Sequence, residues 1–533
     1  VPIVKVRDMV GGKGANYDQS PSELDPRSWS NLQNVRFTRN RIERFGGSAI
    51  FAEAPGTTEL TGARFVSGII RGGSEGLLLL TATNAYFTIN GSSWQDVSPA
   101  AGWADTTTWN MNQYGDWIII TSLDTDPYVL APAGSQFIPF ANWATDRPNF
   151  QVQRIVPYKN ILVGIGVEIS NQPQSGLVIW SDVVSPATLD QVTWDPADPT
   201  SLAGENTLPD KDGELRDAGV LRDSLVLYTD ASVWRADLSS TVVGATPTVF
   251  NFRKIFSHDG IFKNRCFVEQ GGYHYVVGLY DIYRHDMVTP VSLSDNRMTE
   301  FFYQRIGTGA ECFVEHYQRP QEIIVNYSVD TDSEAREALV YNYFYDTWSR
   351  WIFDDTAGFY THFTTGPDFG LSVPTWADLQ TAGTLWSDLN ATTWNDLFPQ
   401  NRNRVPYILG NDKLYRVDAV GAASSVTPSE ALLERIDLDL DEVFGGSRVV
   451  KHIDELLPIV VGDGDLRIQV GGRDTLGNPV LWEPEGVYTI SSDYKFDTRV
   501  SWRYPAIRIL QDPADGTFAL SGIDWSVHAE SRR

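Results

Sequence analysis

Apolar residues along this chain come in short bursts separated by turn-forming residues. "LLLLTATNAYFTI" from Leu77, "WIIITSLDTDPYVL" from Trp117 and "ILVGIGVEIS" from Ile161 each open with four to six mostly apolar residues. The bursts are bounded by Asp, Gly, Asn or Ser, and no sustained heptad appears. Short, β-branched or aromatic runs between turn signals predict strands. The same unit returns at "SLVLYTDASVWRAD" (224), "YHYVVGLYDIYRHD" (273), "EIIVNYSVDTDSEAREALVYNYF" (322) and "PYILGNDKLYRVD" (406). Each copy reads as an apolar strand, a turn, a second strand with an aromatic, and a polar connection. Starts fall roughly 40 to 60 residues apart, a spacing that marks an all-β repeat such as a propeller blade. Six blades are expected, or seven if the first and last units close one blade jointly.

Two copies align directly. "CFVE" occurs at Cys266–Glu269 and again at Cys312–Glu315. The match places the two cysteines as reduced, inward residues of neighbouring blades. They form neither a disulfide framework nor a zinc cluster.

The flanks differ in texture. "NVRFTRNRIERFGG" predicts a hairpin, with Val35 and Phe37 alternating against Arg36 and Thr38, and Ile42 and Phe45 on the return. Near the C-terminus "RIDLDLDEVF" alternates strictly. That pattern predicts a strand with Ile436, Leu438 and Leu440 on one face and Asp437, Asp439 and Asp441 on a solvated one. The expected organisation is an all-β chain in three parts. Residues 1–60 form an N-terminal arm and hairpin packing on a platform. Residues 61–431 form the β-propeller, and residues 432–533 a C-terminal β-sandwich platform.

Between the last two blade copies lies "TWADLQTAGTLWSDLNATTWNDLF", within a Trp-rich insertion near 371–400. It repeats W-x-D-L at Trp376, Trp386 and Trp394. Thr375 and Thr393 stand at the position of a capping-box hydroxyl, with Asp378 and Asp396 three residues on. Each unit then resembles one short helical turn carrying a Trp and a Leu. Two readings stay open: the rings plug the loop onto its own propeller, or Trp376, Trp386 and Trp394 form a docking surface for a partner.

Composition narrows the function. The chain has 533 residues, 42% hydrophobic and 12% aromatic, and a formal charge of −26. Such acidity excludes gripping nucleic acid by phosphate neutralisation. No run of 18 apolar residues occurs, so no membrane insertion is expected. The N-terminal stretch lacks the apolar core of a signal peptide, which points to synthesis in a cytoplasm. Gly11-Gly12-Lys13-Gly14 follows no strand and lacks the Lys-Ser/Thr pair of a phosphate loop. "DLDLDE" carries Glu442 where a calcium loop needs glycine. Histidines are scattered, and no nucleophile elbow appears. No catalytic residue, metal ligand or cofactor site is therefore expected.

Gly11 to Gly47 resembles the opening of tail nozzle (tail tube tip, or hub) proteins of short-tailed bacteriophages. The likeness rests on the glycine pair, the Pro-containing "SPSELDPRSW", Asn34-Val35-Arg36-Phe37, and Gly46-Gly47 after the hairpin. "TRN" stands where a turn glycine is usual in that family. "ALVYNYFYDTWSRWIF" (338–353) and the ending, with "WRY" at 502–504, are similar to its blade strand and C-terminal domain. The resemblance implies a structural virion protein at the distal part of the tail, not an enzyme. It implies a hexameric ring that extends and closes the DNA exit channel, docked to the tail adaptor and to fibres or spikes. An acidic lumen would let DNA pass without specific binding. The rival expectation is a glycan-processing or glycan-binding β-propeller of a virion or secreted protein.

Overall fold

The computed structural model describes most of the chain. Outside the described residues lie 1–3, 7–12, 54–61, 209–212, 308–310, 330–336, 354–359, 368–403, 411–412, 420–429, 445–448 and 531–533, and scattered single or paired positions. The protein is nearly all β, with 56% strand and 5% helix.

Among the described residues, seven sheets built on four antiparallel strands follow one another along the chain; the third carries a fifth short strand, and the sixth adds two parallel strands from the N-terminal arm. The first holds Ala63–Arg71, Ser74–Thr81, Ala85–Thr88 and Gln95–Asp96. The next five open on Asn110–Tyr114, Phe150–Tyr158, Leu215–Leu221, Phe267–Gln270 and Cys312–Tyr317. The seventh is made from both ends of the chain: Gly47–Glu53 pairs with Lys413–Ala419, beyond Arg404–Gly410 and Tyr360–Pro367. None of the seven closes on itself.

Every apolar burst read from the sequence falls on the second strand of one of these sheets. Leu77, Leu78, Leu79 and Leu80 are all buried, as are Ile118, Ile119 and Ile120. A strand covered on both faces has no polar side to alternate with, so it reads as a continuous apolar run. The sheets pack through their first strands. Ala63–Arg71 meets Asn110–Tyr114, which meets Phe150–Tyr158, which meets Leu215–Leu221. Phe267–Gln270 meets Cys312–Tyr317, which meets Tyr360–Pro367. Fourth and fifth sheets touch at Gly219, where an added Cβ would lie 2.4 Å from the Phe267 ring. The first sheet also meets the seventh: the Gly68 amide lies 3.4 Å from Thr364 Oγ1.

The remaining strands make a two-sheet sandwich. One sheet runs Phe496–Trp502, Val450–Gly462, Phe518–Glu530, Arg41–Arg44, Val35–Thr38, with Val4–Val6 also on Phe518–Glu530. The other runs Asn31–Gln33, Ala431–Arg435, Tyr504–Gln511, Asp465–Arg473, Leu481–Trp482, with Gly486–Thr489 beside Asp465–Arg473. Strands from both chain ends thus share both sheets. The hairpin expected at 34–47 is present and rests on Ala519 and Leu520.

"DLDLDE" is not a strand with a solvated acidic face. The strand ends at Arg435, and Asp437 sits at φ 56° with 1% exposure, held by Arg473. A helical turn, Asp441–Phe444, follows. Asp437 neutralises Arg473 and Asp441 the buried Lys451, while Asp439 stays exposed. Lys451 is fully buried, with Nζ 2.7 Å from Asp441 Oδ1 and 2.7 Å from the Arg503 carbonyl. An unpaired ammonium there would be far too costly, so Asp441 follows the buried lysine rather than the solvent.

The glycine-rich arm is built in. Gly14–Ala15 lies parallel to the edge of the sixth sheet at Trp348, with Gly14 at φ 74°. A Cβ there would stand 2.5 Å from the Trp348 nitrogen, so only glycine permits the approach. Asp18 then accepts the amides of Glu300 (3.0 Å) and Phe301 (2.9 Å), satisfying the open start of the helix Thr299–Arg305. Buried side chains of the arm (Ala15, Trp29, Val35, Phe37) join Trp348 of the sixth sheet and Leu433 and Trp525 of the sandwich in one continuous core.

Candidate functional site at the junction of arm, sheets and sandwich

A set of buried charges lies where the hairpin crosses the sixth and seventh sheets. Asn34 turns the chain in the left-handed region, φ 58°. Its side chain bonds both bodies: Nδ2 donates to the Glu430 carbonyl (2.8 Å) and Oδ1 accepts the Ile352 amide (2.8 Å). Val35 and Phe37 point into the shared core. The Phe37 carbonyl accepts Asn342 Nδ2 at 3.1 Å. Phe45 on the return strand stacks on Trp351, centroids 4.2 Å apart.

Arg36 stands between them, buried. Its Nη1 donates to Asp418 Oδ2 at 2.5 Å, while Nε and Nη2 face the two Glu322 oxygens at 3.1 and 3.2 Å. The guanidinium also covers the Phe45 ring at 4.4 Å. Asp418, itself at φ 58°, accepts Tyr317 Oη (3.0 Å) and the Gly46 amide (2.8 Å). Burial opposes the Arg36 charge, but Asp418 and Glu322 outweigh it and hold the group above its ordinary range. Burial pushes the Glu322 carboxyl up to about 7, with Arg36 pulling it back and Asp418 adding to the rise. One cation thus serves two carboxylates inside the protein.

A second cluster forms where the first strands of the sheets converge. Arg154 pairs with Asp217 at 2.6 Å and reaches Asn112 Oδ1 at 3.4 Å. Asp217 also takes the Arg265 amide at 2.7 Å. The Arg265 guanidinium lies 5.4 Å from the Phe65 ring centroid and 5.2 Å from that of Phe313. Arg154 lies 5.6 Å from that of Phe267. The repeated "CFVE" therefore supplies two equivalent aromatic seats for arginine. Cys266 Sγ lies 3.2 Å from the Cys312 carbonyl, both residues buried. Burial lowers Arg265 to about 10 and raises Glu315 to about 7.

Two further arrangements carry acid–base residues. Tyr228 Oη sits 2.6 Å from His274 Nδ1 and 2.7 Å from His285 Nε2, all three buried. The Met287 amide donates to His285 Nδ1 (3.2 Å), and His274 Nε2 faces the Val220 carbonyl (3.2 Å). One proton arrangement satisfies every atom: amide to His285, His285 to tyrosine, tyrosine to His274, His274 to carbonyl. Both rings are then neutral. Burial lowers His274 to about 3 and His285 to about 4. On the sandwich, His452 Nδ1 lies 2.7 Å from Ser501 Oγ and its Nε2 3.5 Å from Asp454, which also meets His528 at 2.9 Å. Serine, histidine and acid side by side resemble a hydrolytic set. They stand on a sheet face whose strands are paired through His452 on both sides, so the ladder occupies amides that could stabilise an oxyanion. Among the described residues, no group of three or more His, Cys, Asp or Glu is gathered to hold a metal ion.

Trp376, Trp386 and Trp394 lie outside the described residues, as do Thr375 and Thr393. The sequence pattern does not single out Glu322, Asp418 or Tyr228, and it marks Arg36 only as part of the Asn34–Phe37 motif. Arg36 was read on the polar side of an alternating strand, and only its place between two buried apolar neighbours hinted at a covered face. No family model matches the chain, and no curated protein matches it. Among solved structures it is similar to the extracellular domain of a putative one-component system from B. thetaiotaomicron (10% identity, TM-score 0.30). It is equally similar to that of a putative hybrid two-component system from B. thetaiotaomicron (10%, 0.31). Each alignment covers 60% of this chain and 52% of the other, so the chain spans about half the length of those proteins.

Proposed function

We propose that this chain is a structural virion subunit, a seven-bladed β-propeller bolted to a sandwich platform, that forms the ring-shaped nozzle of a short phage tail. In this reading the seven consecutive sheets are blades, and Gly47–Glu53 completes the last one. A count of seven is the alternative expected where the first and last units close one blade jointly, and the pairing of Gly47–Glu53 with Lys413–Ala419 supports it. The observation that carries the reading concerns Asn34-Val35-Arg36-Phe37, the motif at the heart of the resemblance. Those four residues lie among the contacts that fasten sandwich to sheets. A tail tip must transmit load between its ring and what hangs from it, and a charged, buried joint resists sliding. The partners in this reading are further copies of the chain, the tail adaptor, and fibres or spikes. DNA passes a lumen of like charge without specific binding.

Mass photometry and negative-stain imaging of the purified chain test this. The expected outcome is a closed ring of identical copies that binds adaptor-bearing particles. A stable monomer that cleaves or binds glycans supports the rival propeller and ends the nozzle reading.

A further inference from the structure

We propose that the Arg36 junction is a proton-dependent latch: one buried guanidinium shared by Glu322 and Asp418 holds the hairpin fast only while the pair of carboxylates keeps one proton. The geometry sets the charge count. Arg36 comes from the hairpin, Tyr317 and Glu322 from the sixth sheet, and Asp418 from the strand that pairs with Gly47–Glu53. These four are the titratable and charged groups that face one another there. Tyr317 is raised by burial and stays neutral, donating to Asp418. With both acids ionised the cluster carries a net negative charge out of reach of water. With one proton it is neutral. Losing that proton leaves a buried, uncompensated charge, the kind that folded proteins avoid by shifting or opening.

The direction follows from linkage. Glu322 in the closed joint titrates near 7, above its ordinary 4.5. The closed form therefore binds a proton that the opened, solvated form has lost. Fastening is strongest below the ordinary value, weakens as pH rises through the interval, and levels off above about 7. Opening of the hairpin should grow by up to about tenfold per pH unit across that window.

Hydrogen–deuterium exchange on the whole chain, corrected for intrinsic rates, reads this in peptides covering Val35–Thr38, Arg41–Arg44 and Lys413–Ala419. The expected result is an opening constant that rises at least about tenfold from pH 5 to 7 and then flattens. Peptides from Ile161–Ile169, remote from the joint, should not follow. Glu322→Gln keeps a polar group facing Arg36 and cannot titrate, so its opening should be independent of pH. A flat wild-type profile overturns the latch whether or not E322Q folds. So does a rise of equal size in the remote strand, or an unchanged profile in E322Q.

Discussion

Tyr228→Phe isolates one oxygen atom in the relay between the fourth and fifth sheets. The phenol accepts from His285 Nε2 at 2.7 Å and donates to His274 Nδ1 at 2.6 Å. Removing it leaves an imidazole N–H without an acceptor and an imidazole lone pair without a donor. Both rings are fully buried, so water cannot replace the hydroxyl without displacing packed atoms. Each orphaned polar group costs about 1–3 kcal/mol, and the ring itself stays, so no large cavity forms. The expected loss is about 2–6 kcal/mol. A chain with several bodies does not unfold in one step, so a single melting curve is the wrong assay. Native-state hydrogen exchange of Tyr273–Val277 and Ile282–His285 measures the local opening free energy directly. That free energy should fall by the stated amount in Y228F, while Trp117–Thr121 in the second sheet stays unchanged. A local loss under about 1 kcal/mol would refute the directed chain of hydrogen bonds, since a satisfied network cannot lose its central member so cheaply.

Gly14→Ala should detach the Gly14–Ala15 strand from Trp348, whereas Gly72→Ala, also at positive φ but with open space around it, should cost only about 1–2 kcal/mol. The check is limited proteolysis near Lys13 together with thermal stability, and equal losses in the two variants would contradict the close approach. The histidine pair titrates below its ordinary 6.5, so its stabilisation is complete above that value and declines as pH falls toward 4. Local exchange in the fifth sheet should therefore quicken on acidification, less than two protons would require, because nearby Asp259, raised by burial to about 7, gains over the same interval. Trp376→Ala, Trp386→Ala and Trp394→Ala should separate the two readings of the repeat: a docking anchor lost costs roughly 2 kcal/mol in attachment with folding intact. Early melting of all three with normal attachment would leave self-packing as their role.

How far the sequence shows the fold depends on what each strand faces. Second strands, buried between neighbouring sheets, announce themselves as apolar runs. First strands do not. "NMNQY" (110–114) and "LRDAGVL" (215–221) look like loops because their side chains make the convergent polar contacts, Asn112 to Arg154 and Asp217 to Arg154. Buried charge is invisible to a pattern that equates polar with exposed, and Arg36 and Asp437 were misplaced for that reason. Pairing across the whole chain is invisible too. Nothing local tells Ile42 that its strand partner is Leu520, or Gly47 that it lies opposite Ala419. The hairpin was legible because its own alternation suffices, but an isolated hairpin is marginal.

That marginality says what the N-terminal arm is for. A hairpin, a two-residue parallel strand and a left-handed asparagine would not hold by themselves. Each is fixed by a partner hundreds of residues later: Asn34 by Glu430, Arg36 by Asp418, Asn31–Gln33 by Leu432–Glu434. Contacts of such separation form late and slowly, since the loop must close before any of them contributes. The arm is therefore expected to seat last, after sheets and sandwich exist. It is also the segment that ties both bodies together, since it lends strands to each. A joint of that kind is best controlled by charge rather than by apolar area, because apolar contacts respond little to pH whereas Arg36 with its two carboxylates responds steeply. Arg36 can then serve both as part of the fastening and as the place where it lets go.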